Sequence, residues 1–71
     1  MTDTSRLKQL ISDSGLKMSY ICERIGVTYS TLRRKITNES DFTATEISIL
    51  SQLLDLSEQD RSAIFFAKKG E

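Results

Sequence analysis

The sequence predicts an all-α domain of five short helices. Three observations lead there. Proline is absent and only three glycines occur in 71 residues, so little interrupts a helix. Apolar residues recur at spacings of three and four, as in Leu7, Leu10 and Ile11, the period of a helix buried along one face. Ser, Thr or Asp stands ahead of these runs, and such side chains accept hydrogen bonds from the free N–H groups of a first turn. A chain of this length makes one small domain. Its hydrophobic share of 38% is enough for a single helical core, and its aromatic share of 7% speaks against an all-β fold.

Taken in order, residues 1–3 read as a frayed tail. The first helix starts after Thr4 or Ser5 and ends at Ser14-Gly15, where Gly15 suits a left-handed C′ position. Leu16 packs as a connector. The second helix runs from Lys17 or Met18 to Ile25. Thr28 caps a third, which ends near Ile36. Thr37 to Asp41 form a polar loop. The fourth helix has the clearest local signal: in Phe42-Thr43-Ala44-Thr45-Glu46-Ile47, Thr43 and Glu46 make a capping box and Phe42 staples onto Ile47. Ile47, Leu50, Leu53 and Leu54 form its buried stripe, and it ends near Asp55. Ser57 starts a fifth helix. Glu58 and Asp60 sit near its positive end, Lys68 and Lys69 near its negative end, as the helix dipole favours, and Gly70 closes it.

The stretch MSYICERIGVTYSTLRRKI, residues 18–36, organises the rest. Two amphipathic runs flank Gly26-Val27. Two helices joined at a steep angle by a short turn containing Gly make a helix-turn-helix unit. Cys22 is small where the helices pass closely, Gly26 can take the positive φ of a tight turn, and Leu32 faces back onto Ile21 and Ile25. These residues resemble the Cro/repressor-type helix-turn-helix (XRE-like) of bacteriophage and bacterial regulators. The likeness rests on the small residue, the Gly four later and the apolar residue six after that. More loosely it covers most of the chain, and KITNESDFTATEI and IFFA look like small prophage-type members. It implies a lambda-repressor-like five-helix domain, with the unit at about residues 17–36 in helices 2 and 3, and a sequence-specific regulator whose third helix enters the major groove of operator DNA.

The resemblance assigns roles by position. Tyr29, Ser30 and Arg34 become base readers: Arg bonds guanine O6 and N7 together, Ser bonds several base edges, and a Tyr ring meets a thymine methyl. Lys17, Ser19, Thr28, Thr31, Arg33, Lys35 and Asn38 become contacts to the DNA backbone. The polar loop would run along that backbone, with Asn38, Ser40 and the N–H groups of Thr43 and Ala44 around a phosphate, against the charges of Glu39 and Asp41. The chain also departs from the group. Lys17 and Met18 stand where a capping Ser or Thr and a phosphate-binding Gln are common, and Lys35 stands where a bulky apolar residue is usual, a gap that Ile36 fills. The plain alternative is a solvated cationic face for the third-helix residues and an ordinary polar loop for Asn38, Ser40 and the start of the fourth helix.

Formal net charge is zero, but the charge is polarised. Residues 17–36 hold five bases against the single acid Glu23, a net of +4 that the remainder balances, and from Glu39 to Asp60 there are six acids and no base. Such a molecule can turn a positive face to phosphate. Ile64, Phe65 and Phe66 are consecutive, so one helix cannot bury all three on one side; one completes the core and leaves at least one ring as the candidate partner interface, for a homodimer or for another repressor protein, or else both rings pack under helix 1 or helix 4. An anti-repressor or modulator acting on such a partner is the rival reading. Chemistry of other kinds has little to stand on. With no His and one Cys, no metal site or activated thiol is expected, and Cys22 reads as a small core residue. Acid pairs read as helix-cap charges rather than an acid–base couple. No enzyme activity and no cofactor are expected. No run approaches a membrane span and no signal peptide is visible, so a cytoplasmic location is expected.

Overall fold

The computed structural model describes residues 2–66. Among them the chain forms five α-helices and no strand: α1 Thr4–Ser14, α2 Met18–Ile25, α3 Tyr29–Ile36, α4 Ala44–Leu53 and α5 Glu58–Phe65. Most boundaries follow from cap chemistry. Thr28, Thr43 and Ser57 each accept from the N–H three residues on, at Thr31, Glu46 and Asp60. Gly15 and Gly26 end α1 and α2 in the left-handed region, at φ 73° and 86°. The Gly26 N–H donates to the Cys22 carbonyl at 2.7 Å. Asp55 ends the α4 segment left-handed without a glycine, at φ 52°.

The beginning of the chain departs from expectation. Thr2 is buried rather than frayed. Its N–H donates to Asn38 Oδ1 at 2.9 Å, and its carbonyl accepts from Asn38 Nδ2 at 2.7 Å. Asn38 is itself left-handed, at φ 67°, a conformation that Asn tolerates better than most residues. The Asp3 N–H donates to the Ile64 carbonyl at 2.6 Å. Asp3, not Thr4 or Ser5, is the N-cap of α1, accepting from the Arg6 N–H at 3.2 Å. The first segment is thus held both to the loop after α3 and to the end of α5. At the other end, α5 closes at Phe65 with Phe66 as its cap. Lys68, Lys69 and Gly70 lie outside the described residues.

Each helix sends one fully buried side chain to a shared centre: Leu7, Ile21, Leu32, Leu50 and Ile64 have no exposed area. Each such burial contributes about 1.5–3 kcal/mol. Ile11, Cys22, Ile36, Phe42, Ile47 and Phe65 complete the core. Leu53 and Leu54, expected in the buried stripe of α4, are only half-buried and pack at its margin. Around this centre α2 packs on α3 and α4, α1 on α3 and α5, and α4 on α5. The Phe42 and Phe65 rings meet edge to face, 5.4 Å apart at 81°, the favoured arrangement for an aromatic pair.

The turn between α2 and α3 yields a direct test. A Cβ added at Gly26 would meet nothing within 4 Å. Gly26→Ala therefore carries only the cost of a left-handed L-residue, about 1–2 kcal/mol. The expected outcome is a lower urea midpoint with an unchanged m-value; an unchanged midpoint would show that the turn does not depend on this backbone conformation.

Candidate nucleic-acid interface

The residues around α3 separate into two faces. Leu32, Lys35 and Ile36 point inward and are buried. Tyr29, Ser30, Arg33 and Arg34 are exposed, Tyr29 to 54%. The helical advance of 100° per residue produces this division once Leu32 and Ile36 are anchored in the core. The first turn also carries a hydroxyl cluster. Thr28 Oγ1 accepts from the Thr31 N–H at 3.3 Å, donates to Thr31 Oγ1 at 2.9 Å, and lies 3.4 Å from Ser30 Oγ. Thr31 is half-buried beneath it, while Thr28 and Ser30 stay open to solvent. Lys17 and Ser19 are exposed at the start of α2, where Lys17 makes no side-chain cap. Among the described residues, Lys17, Arg24, Arg33 and Arg34 form no ion pair; the pairs present are Arg6–Asp60 and Lys35–Glu46.

Several expected site residues lie elsewhere. Lys35, expected as a backbone contact, does not stand on the exposed face. It is 9% exposed, and its Nζ donates to Glu46 Oε1 on α4. It lies next to Ile36 on the inner side of α3, so its ammonium group is directed at the start of α4 rather than at solvent. Asn38 is exposed in the loop after α3, and its amide bonds both backbone groups of Thr2, which fixes the loop while one N–H and one lone pair stay open. One donor of the phosphate cradle expected at the start of α4 is already used: the Thr43 N–H donates to Glu46 Oε1 at 2.9 Å. Ile64 and Phe65 are buried at 0% and 4% and are not a partner surface. Phe66 alone of that cluster is open, at 59%. Cys22 is buried, in keeping with a small core position.

Glu46 is the residue whose weight was least visible in the sequence. The capping box marks it, but no local pattern connects it to Lys35. Burial pushes its carboxyl pKa up, yet the result is a net lowering, because the Lys35 ammonium and the Thr43 N–H both bind the ionised form. Lys8 on α1, which no motif singles out, is a second such residue: it borders a cleft with Tyr29 and Arg33.

Comparison of the chain with protein-family models, with curated proteins and with solved structures finds no match. Among the described residues no helix is long and apolar enough to cross a membrane.

The lowered carboxyl fixes the sign of one pH effect. A folded pKa below the unfolded one gives stability that is complete above the ordinary carboxylate range and disappears as pH falls through the folded value. Glu46→Gln is expected to be less stable than wild type at neutral pH, with the gap closing in acid. Urea midpoints across a pH series check this; a gap independent of pH would remove the ionised pair from the stability of the fold.

Proposed function

We propose that this chain is a sequence-specific, DNA-binding transcription regulator of the Cro/repressor type, with α2 and α3 as its helix-turn-helix. The observation that carries this reading is the outer face of α3. Tyr29, Ser30 and Arg34 stand exposed together with Arg33, and neither guanidinium is engaged in an ion pair among the described residues. A major groove admits one helix, and these are side-chain types that read base edges there. Arg33, Lys17 and Ser19 suit the flanking phosphates, and Thr28 and Thr31 the entry of the helix. Lys35 is left out of the contact set because its ammonium is buried against Glu46, while Asn38, exposed and held in place by Thr2, suits the backbone beyond the helix.

Regulation on this reading is steric. A protein seated on a promoter blocks or redirects polymerase, and the prophage-type likeness of the sequence suggests lysogeny-type genes as the setting. A homodimer would place two α3 helices on half-sites about 34 Å apart. One observation favours a second reading, an anti-repressor or modulator that binds another repressor. Phe66 exposes a large aromatic ring at the end of α5, and exposed aromatics are enriched at protein contacts. Retention on random duplex at low salt separates the two: a DNA binder is held electrostatically, and a modulator of proteins is not.

Selection of bound sites from a random DNA pool supplies the operator. Against that operator, Arg34→Ala is expected to lose about 1–3 kcal/mol of binding and to relax preference at one base pair, with helicity unchanged by circular dichroism. Undiminished affinity in a gel-shift assay at fixed salt would take Arg34 out of the base-reading set.

A further inference from the structure

The proposed reading leaves a gap on the α2 side of α3. Met18 opens α2 there, and its thioether side chain cannot hold a phosphate. The surface beside Met18 is concave. Lys8, Met18, Tyr29, Arg33, Ile36 and Thr37 line a cleft of about 330 Å³, and its walls come from α1, α2 and α3. Lys8 and Arg33 are exposed, and among the described residues neither makes an ion pair. Met18 is half-buried and Ile36 buried, so the cationic groups share the cleft with apolar surface.

That combination matches the chemistry of a sugar-phosphate strand. An ammonium and a guanidinium bind a phosphate by charge-assisted hydrogen bonds, while a thioether and an aromatic ring cover the apolar side of a deoxyribose. At one edge of the cleft Thr37 Oγ1 donates to Glu39 Oε2 at 3.1 Å, which directs an anion towards Lys8 and Arg33 rather than Thr37.

We propose that Lys8, on α1, is a DNA-backbone contact. With Arg33, across the same cleft, it holds one phosphate of the strand that flanks the groove entered by α3. This rests on the DNA-binding reading. The contact is to phosphate, so it adds affinity without choosing a sequence.

The test measures how the affinity of the full chain for its selected duplex varies with salt. Each phosphate contact contributes about 0.9 to the slope of log affinity against log salt. Lys8→Gln is expected to lower that slope by about 0.9 and to weaken selected and scrambled duplexes by the same factor. Lys8→Arg restores the slope. Arg61→Gln, which removes an equal charge from α5, leaves the slope at its wild-type value. A Lys8→Gln slope equal to wild type overturns the contact while the DNA-binding reading stands. An equal loss for Lys8→Gln and Arg61→Gln also overturns it, since net charge alone then explains the effect. Failure of the wild-type chain to bind any duplex overturns the DNA-binding reading and this inference with it.

Discussion

The Glu46 carboxylate is the point on which the arrangement of α3 depends. One oxygen, Oε1, accepts from the Thr43 N–H and from Lys35 Nζ, while the Glu46 N–H donates to Thr43 Oγ1. A single side chain therefore closes the first turn of α4 and holds the last turn of α3. Lysine is among the residues least often buried without a partner, so Lys35 can face inward only because Glu46 meets it. Removing either partner strands a charge at a nearly closed site, which is why such pairs are strongly destabilising to break even when their net worth against apolar replacements is small. With Leu32, Ile36 and Lys35 all fixed inward, the rotation of α3 about its axis has no freedom left. The exposure of Ser30, Arg33 and Arg34 is the other side of that constraint.

How much of this was legible depends on how far apart in the chain the causes lie. Thr28, Thr43 and Ser57 cap helices within three residues, and Gly15 and Gly26 stop them within one. Such local physics is written in the order of the residues, and those boundaries stand where the sequence places them. Thr2 and Asn38 lie 36 residues apart, and nothing near either one announces the other. The same holds for Lys35 and Glu46, 11 residues apart. By residue type alone Lys35 and Asn38 both suit phosphate; tertiary pairing turns Lys35 inward and ties the Asn38 amide to Thr2. Ile64-Phe65-Phe66 was ambiguous for a different reason. Periodicity says that three neighbours cannot share one face, but not that two can be buried when one helix end is enclosed by α1, α4 and the first segment of the chain.

The corrected pairings also sharpen the charge argument. Lys35 contributes nothing to the outward field of α3, because Glu46 neutralises it at close range. The exposed positive character of this region comes from Lys17, Arg24, Arg33 and Arg34, against Glu23. Glu46 likewise leaves the acidic half, and the remaining acids of residues 39–60 are exposed or half-buried. The balance of the two halves is unchanged, yet both are less extreme than the sequence suggests. Long-range attraction to a polyanion is correspondingly modest and strongly screened by salt. A DNA contact made by this chain must then draw on near-field geometry, on where each cation is held.

Holding is the point at which the fold bears on the proposed function. Arg33 and Arg34 lie on a helix only eight residues long, too short to be stable by itself in water. Its persistence comes from Leu32 and Ile36 in the core, from the Thr28 cap and from the Lys35–Glu46 link. The loop that follows adds to this, since the Glu39 and Ser40 N–H groups both donate to the Arg34 carbonyl, at 2.8 and 3.2 Å. Ordering long side chains on binding costs conformational entropy, and that cost rises if the backbone beneath them must also be ordered. Here the backbone is already fixed from inside, so only the side chains have to settle. One lysine turned inward thus serves the outward arginines: it gives up its own contact with solvent, and the helix that carries them keeps one orientation.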